Sequence, residues 1–573
     1  MKNNKIKILK RLNYGIGKIV FKVEIEHYVA HFRIPFIENY NYNCIIEWGD
    51  GNVDYYINGQ HAFHTYEIGE YYIKINGLFE AFDAIYIRDY IVEILSWGKP
   101  EKTNLKYINF YECEKLKKLP NEAGGLKFVE TFKDVFYACE ELEYIPEGIF
   151  NDNNIAVSFE NTFHSTKITS IPNGLFDSCV NVTTFKGVFF ETKITSIPNG
   201  LFNKNPLVTD FSYSFLLTHI TNIPEHLFDN NPLVTDFSST FYRSKLKNIP
   251  DNLFDKNTLV TDFSYIFAYS DLENIPDNLF DFNTLVTDFS FAFIVTKIEN
   301  IPVDLFNKNT EVIDFESVFS GSPIDEIPSL ISEIPENLFD KNTKAINFKN
   351  AFRGTQIEEI PENLFINNIE IENFSGVFSY CFKLDILPST LFATNTKVKT
   401  FSHAFSNLLL LRNLPENLFE KNINVTDFSF TFTNTDLREI PEKLFEKNIL
   451  VTNFSSTFKD VYGITEIPEN LFEKNINVTD FSSTFNFIYT LTGIPYHIFD
   501  NNILVTNFNY TFKNSQNIKG IVPKLWDSNI WSNVISNFDC FENTGDLSTS
   551  GNTIPISWGG NCSLTPITNC SGL

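Results

Sequence analysis

The sequence predicts a solenoid of short repeats preceded by a small all-β domain. Three observations carry this. Prolines following Ile or Leu recur at a fixed step: Pro120, Pro146, Pro172, Pro198, Pro224, Pro250, Pro276 and Pro302 are each 26 residues apart. From Pro335 to Pro523 the steps stay between 26 and 28. Such a period means stacked units that cannot enclose a core one at a time. Phe falls in the same three places of every unit. The first hundred residues lack the period, and stretches such as "FKVEI" and "YYIKI" alternate as half-buried strands do.

The columns can be counted over the fourteen units that start at Pro146 through Pro495. Positions 4, 13 and 17 after the proline are Phe in all fourteen, which accounts for 42 of the 60 Phe. Identical flat rings in successive coils stack into three spines, at an expected rise of about 4.8 Å per coil. Position 7 is Asn in thirteen units, including Asn205, Asn231, Asn257, Asn283 and Asn309; Cys179 is the exception. Corners of a coil leave backbone groups unpaired inside, and a buried Asn can satisfy its own turn and the next coil. One long step, 33 residues from Pro302 to Pro335, carries an insertion within "GSPIDEIPSLISEIP".

Within a unit, "LVTDF" and "LKNIP" read as short β-strands, and "DNLFDKN" and "SSTF" as single helical or 3₁₀ turns. Apolar residues at positions 10, 13 and 17 follow an L-x-x-L pattern. This is leucine-rich-repeat grammar with Phe in place of much of the Leu. Three segments follow: a β-sandwich over 1–100, a leucine-rich-repeat-like solenoid of units of about 26 residues over 101–522, and a cap over 523–573 that brings in Trp526, Trp531 and Trp558.

The repeated pattern of units such as "IPDNLFDKNTLVTDFSYIF" resembles the BspA-type leucine-rich repeats of bacterial surface proteins and of phages, over roughly Asn104 to Ile535. The resemblance implies adhesion or structural roles without chemistry. Trp48-Gly49-Asp50-Gly51, His64-Thr65-Tyr66 and Gly69-Glu70-Tyr71 resemble a polycystic-kidney-disease-type sandwich. That likeness implies a hairpin closed by the first motif and a structural His64; Asp50 before Gly is expected as a turn residue rather than a metal ligand.

Formal net charge is −26, which argues against nucleic-acid or anionic-membrane binding. Asn13, Gly15, Gly17, Lys18 and Lys22 interrupt every apolar run near the basic start, so no secretion signal is read there, and no stretch is long enough to span a bilayer. None of the eight Cys forms a CxxC pair; Cys562 and Cys570 are the one pair placed to bridge in an oxidising setting, free thiols being the plainer expectation. Nine His show no metal-ligand spacing, and no nucleophile elbow, phosphate loop or dinucleotide motif is present. Neither enzyme chemistry nor a metal nor a cofactor is expected.

One row stands out as a candidate ligand surface. Position 12 is Asp in Asp210, Asp236, Asp262, Asp288 and Asp314, beside a row of Thr at position 11. Pointing outward, five carboxylates at the strand spacing would repel one another, and a cation, a Lys-rich partner or sugar hydroxyls would relieve them. The plainer role is to keep an exposed edge soluble. The favoured function is a non-catalytic phage virion component, a tail or head fibre or receptor-binding accessory. Its N-terminal domain would attach to other virion proteins and its solenoid would meet a host surface protein or glycan. A bacterial cell-surface adhesin is the alternative, and an intracellular scaffold a weaker third. No heptad pattern supports a trimer, and the oligomeric state is left open.

Overall fold

The computed structural model describes residues 17–121, 124–322, 327–545 and 554–560. Two compact units divide between Asn283 and Thr284.

The first unit opens with six strands before residue 80: β1 (Ile19–Ile25), β2 (Ala30–Ile34), β3 (Tyr42–Glu47), β4 (Val53–Ile57), β5 (Ala62–Tyr66) and β6 (Gly69–Phe79) are followed by the short β7 (Ala81–Asp83). β8 (Ile91–Trp97) and β9 (Tyr107–Asn109) complete the set. One sheet runs β4-β3-β6-β1-β8, β2 pairs with β5, and β7 lies parallel to β9. The alternation in the sequence becomes an inside and an outside: Phe21, Val23 and Ile25 of β1 and Tyr42, Cys44 and Ile46 of β3 are buried. The β3–β4 hairpin closes with the Trp48 amide on the Asn52 carbonyl at 3.1 Å, and Asp50 accepts the Asn52 amide at 2.9 Å. His64 stacks on Trp48 with centroids 4.7 Å apart and bonds Asp50 at 2.8 Å. Burial pushes the Asp50 carboxyl up, but the Asn52 and His64 bonds outweigh it and hold it below the ordinary value.

No linker separates these sheets from the coils. β8 pairs with β1 on one side, and on the other the Ile94 amide donates to the Lys118 carbonyl at 2.8 Å. Phe82 and Trp97 lie 5.2 and 5.9 Å from Phe110, the first rung of an aromatic column that continues to Phe136 at 5.8 Å.

The coils depart from the expected local structure in two ways. The predicted strand in "LVTDF" shrinks to one bridging residue per coil, as in Asp210 paired in parallel with Thr184 and Asp236. "LKNIP" holds the next coil by single bonds, such as the Glu273 amide to the Lys247 carbonyl at 3.0 Å. The predicted helical and 3₁₀ turns are isolated turns instead, and among the described residues from Pro120 to Pro523 no helix forms. The cause lies in where the amides go. Those of Phe211, Tyr213, Phe215 and Leu217 donate forward to Asp236, Ser238, Thr240 and Tyr242 of the next coil, at 2.8–3.0 Å. Every second amide is therefore withdrawn from any helical bond. Tyr213 and Leu217 sit at φ 61° and 57° to achieve this, a left-handed conformation that ends a helix wherever it falls.

The Phe columns lie in the interior. Phe211 and Phe237, and Phe215 and Phe241, stack with planes within 4° and centroids 5.8 and 5.7 Å apart; Phe202 and Phe228 stack at 6.2 Å. These separations exceed the expected 4.8 Å because the rings are slipped sideways, the arrangement that aromatic quadrupoles favour. Rings of different columns also meet, as Phe202 does Phe211 at 4.7 Å and 58°.

The second unit repeats this architecture by itself. Phe428 and Phe454 stack at 5.8 Å and Phe432 and Phe458 at 5.7 Å. The insertion forms a small antiparallel bridge between Ser322 and Ile327, leaving the coil bonds on either side in register. At the far end Trp531 and Trp558 cover Phe508 at 5.6 and 6.3 Å, and Phe541 covers Phe512 at 5.6 Å. Cys562 and Cys570 lie outside the described residues. The six described cysteines are free and buried.

Candidate binding surface

The two rows singled out in the sequence occupy different depths. Asn205, Asn231 and Asn257 are fully buried. The Asn231 side-chain nitrogen donates to the carbonyls of Phe202 and Asn205 at 3.1 and 2.9 Å, and Asn257 repeats this on Phe228 and Asn231. Asn283 does the same on Phe254 and Asn257, and Asn309 receives the Asn342 amide on its carbonyl at 2.8 Å. This row is internal and takes no part in an exterior surface.

The acidic row is half-buried at the edge of the coil. Each carboxylate accepts the amide two residues ahead: Asp210 from Ser212 at 2.8 Å, and Asp236, Asp262, Asp288 and Asp314 from Ser238, Ser264, Ser290 and Glu316 at 2.7 Å. One oxygen of each is thus engaged in a local turn. Burial pushes the carboxyls of Asp210, Asp288 and Asp314 above their ordinary value, and neighbouring acids add to it: Asp236 for Asp210, Asp314 and Glu316 for Asp288, Glu316 for Asp314. The run ends where Asn347 donates to both oxygens of Asp314 at 3.1 Å. An amide in the same place bonds the carboxylate that a sixth acid would repel.

Outside this row the coils carry repeated exposed side chains. In the first unit Leu207, Leu233 and Leu259 alternate with buried Val208, Val234 and Val260 and with exposed Thr209, Thr235 and Thr261. Each of those Thr hydroxyls donates to the carbonyl one coil earlier at 3.2 Å. In the second unit Ile423, Ile449, Ile476 and Ile503 are all more than half exposed, in four successive coils. Each of the first three follows a Glu–Lys pair, such as Glu420–Lys421 at 3.0 Å.

Sequence reasoning missed a second internal row at position 16. The hydroxyl of Thr240 donates to the carbonyls of Phe211 and Phe237 at 3.1 and 2.7 Å, and Ser214, Thr431, Thr457, Thr484 and Thr511 repeat the arrangement. The position mixes Thr and Ser with Val, Ala and Ile, so no single residue type marks it.

Among the described residues no cluster of His, Cys, Asp or Glu could hold a metal ion. No helix among them is long and apolar enough to cross a membrane.

No family model and no curated protein matches the chain. Solved structures do match. The Toll–Spätzle complex of Drosophila aligns at TM-score 0.37 and 14% identity, over 73% of this chain and 50% of that one. A TLR13–ssRNA13 complex aligns at 0.36 and 13%, over 67% of this chain and 54% of that one. A PEPR1–AtPEP1 structure aligns at 0.25 and 12%, over 76% and 83%. This chain spans about half the length of the first two. At these TM-scores none of the three carries a ligand or an activity over to this chain.

Proposed function

We propose that this chain is a non-catalytic recognition protein whose coils present a repeated exterior to a macromolecular ligand. One observation carries the reading: the repeated interior side chains are stacked on one another or donate to backbone carbonyls. The Phe columns stack on one another, the Asn and Thr rows bond backbone carbonyls, and the described thiols are buried. Burial holds the thiols of Cys139 and Cys540 far above the ordinary range and that of Cys381 at about 12, so they stay protonated and unreactive. Chemistry is left to the outside, where side chains recur at coil spacing.

The finer reading is a phage virion component, with a bacterial cell-surface adhesin as the alternative. In it the N-terminal domain, taken as a sandwich of the polycystic-kidney-disease type, attaches to other virion proteins. The coils meet a host surface protein or glycan, with the acidic row and its Thr neighbours on the contact face. Mass spectrometry of purified virions and of host cell envelopes decides between the two. Recovery from virions supports the first, recovery from envelopes alone the second, and recovery from neither rejects both. Replacing Asp210, Asp236 and Asp262 by Ala tests the acidic row; unchanged host binding would remove it from the contact face.

A further inference from the structure

One rung is missing from an exterior column of the second unit. Position 15 of each coil lies in the left-handed conformation and carries its side chain outward. Successive residues there are Asn350, Gly376, His403 and Phe430, at φ 56°, 62°, 59° and 57°. His403 stacks on Phe430 with centroids 4.4 Å apart and planes within 7°. The next place along the column is Gly376, so no side chain of that rung covers the other face of the imidazole. A groove of about 670 Å³ opens here, and Asn350, Arg353, Tyr380, Ser402 and Asp427 also line it.

Several polar groups surround the gap. The Arg353 guanidinium lies 5.0 Å from the centre of the Tyr380 ring and makes no ion pair among the described residues. Lys349 and Lys399, which also border the groove, are paired with Glu316 at 2.8 Å and Glu372 at 2.6 Å. The Asn350 side-chain oxygen leans into the gap, 2.1 Å from where a Cβ on Gly376 would sit. Its side-chain nitrogen has no hydrogen-bond partner among the described residues. Burial, and then the charge of Arg353, hold His403 below the ordinary imidazole range while Asp427 opposes them, so the ring is neutral at neutral pH.

We infer that this groove binds one pyranose residue bearing a carboxylate, with the sugar ring on the open face of His403 and the carboxylate on Arg353. Rungs recur at about 4.8 Å, so one absent rung leaves room for a single ring. A pyranose has an apolar face of C–H groups, which suits an aromatic plane, and an edge of hydroxyls. Asn350 and Asp427 offer those hydroxyls a donor and acceptors. The guanidinium fork matches a carboxylate. One unpaired cation at the groove, in a chain of net charge −26, suits one negative charge and disfavours polyanions. This deepens the recognition reading and rests on it.

The test is calorimetric or saturation-transfer NMR titration of the full chain with two acidic probes and their neutral counterparts. These are 3′-sialyllactose against lactose, and methyl glucuronide against methyl glucoside; the two pairs separate a sialic acid from a uronic acid. At least one acidic probe binds about tenfold more tightly than its neutral partner. Arg353→Gln removes that preference. Gly376→Phe fills the rung and abolishes binding; Phe430 and Phe291 already occupy this column position at φ 57° and 58°, so the backbone accepts the change. An unchanged circular dichroism spectrum and thermal midpoint verify that both variants fold. The inference is overturned if neither acidic probe binds at about 10 mM, if Arg353→Gln keeps the preference, or if Gly376→Phe leaves affinity unchanged. Failure of both sugars removes this groove alone, since recovery from virions or envelopes is measured independently.

Discussion

The side-chain nitrogen of Asn231 lies 2.9 Å from the carbonyl oxygen of Asn205, one coil earlier, and the Asn231 carbonyl in turn receives the Asn257 amide at 2.9 Å. Each rung is both donor, through its side chain, and acceptor, through its carbonyl, so the row ties neighbouring coils together at a corner where the backbone bonds only within its own turn, as the Val208 amide does to the Asn205 carbonyl at 3.3 Å. Replacing Asn231 by Leu leaves the Phe202 and Asn205 carbonyls without this donor in a dry interior. A loss of about 2–4 kcal/mol is expected, measured as a lower urea midpoint. A change below about 0.5 kcal/mol, the level of an ordinary surface substitution, would remove the row from the list of stabilising features.

Cys179 breaks the same row. Its sulfur reaches the Phe150 carbonyl only at 4.0 Å, where Asn in other coils makes two short bonds. Cys179→Asn restores the donor and stabilises the protein by about 1 kcal/mol. A lower thermal midpoint for this variant would show that the site is shaped for sulfur.

Phe237 stacks on Phe211 and Phe263 at 5.8 Å each and is fully buried. Phe237→Ala costs about 3–5 kcal/mol, since it removes a ring from the middle of a column and leaves a cavity. Phe237→Leu keeps most of the volume and costs less. Equal losses for the two would mean that ring geometry, rather than volume, dominates.

The acidic row gives a pH dependence with a defined sign. Burial raises the native carboxyl of Asp288 above its ordinary value. The native state therefore holds this proton after the unfolded chain has released it, and stability falls as pH rises through that interval. At neutral pH the ionised Asp288 is a net cost. Asn occupies the same position at Asn373 and Asn453, each accepting the amide two residues ahead at 2.9 Å. Asp288→Asn therefore raises the thermal midpoint at about pH 7 and gains less at about pH 3. A gain that is larger in acid would contradict the assignment.

The sequence made some of this legible and concealed the rest for physical reasons. Phe211, Phe237 and Phe263 announced a column because stacking admits one shape, and Asn205, Asn231 and Asn257 because a side-chain amide nitrogen can donate to two carbonyls at that corner. Thr240 stayed hidden, since Val or Ala fills its place in other coils without loss of fit. "SSTF" suggested a helical turn because propensity counts residues in isolation. The left-handed Ser239 and the forward bond from its amide to Ser264 at 2.8 Å depend on a neighbouring coil that no local pattern contains. The acidic row was legible as a row, but its turn bonds are seen only in three dimensions. The open rung at Gly376 had no signal of its own; it becomes visible once His403 and Asn350 are known to be its neighbours.

The claim beneath all of this is that residues one period apart are adjacent and in register. The Thr261 amide meets the Thr235 carbonyl at 2.9 Å, and both side chains are exposed. Mild oxidation of the double variant Thr235→Cys/Thr261→Cys, followed by mass spectrometry, tests it directly, with Thr235→Cys/Asn248→Cys, half a period apart, as the control. A disulfide forms in the first pair and not in the second. Equal cross-linking of both pairs, or of neither, would contradict the stacked coil.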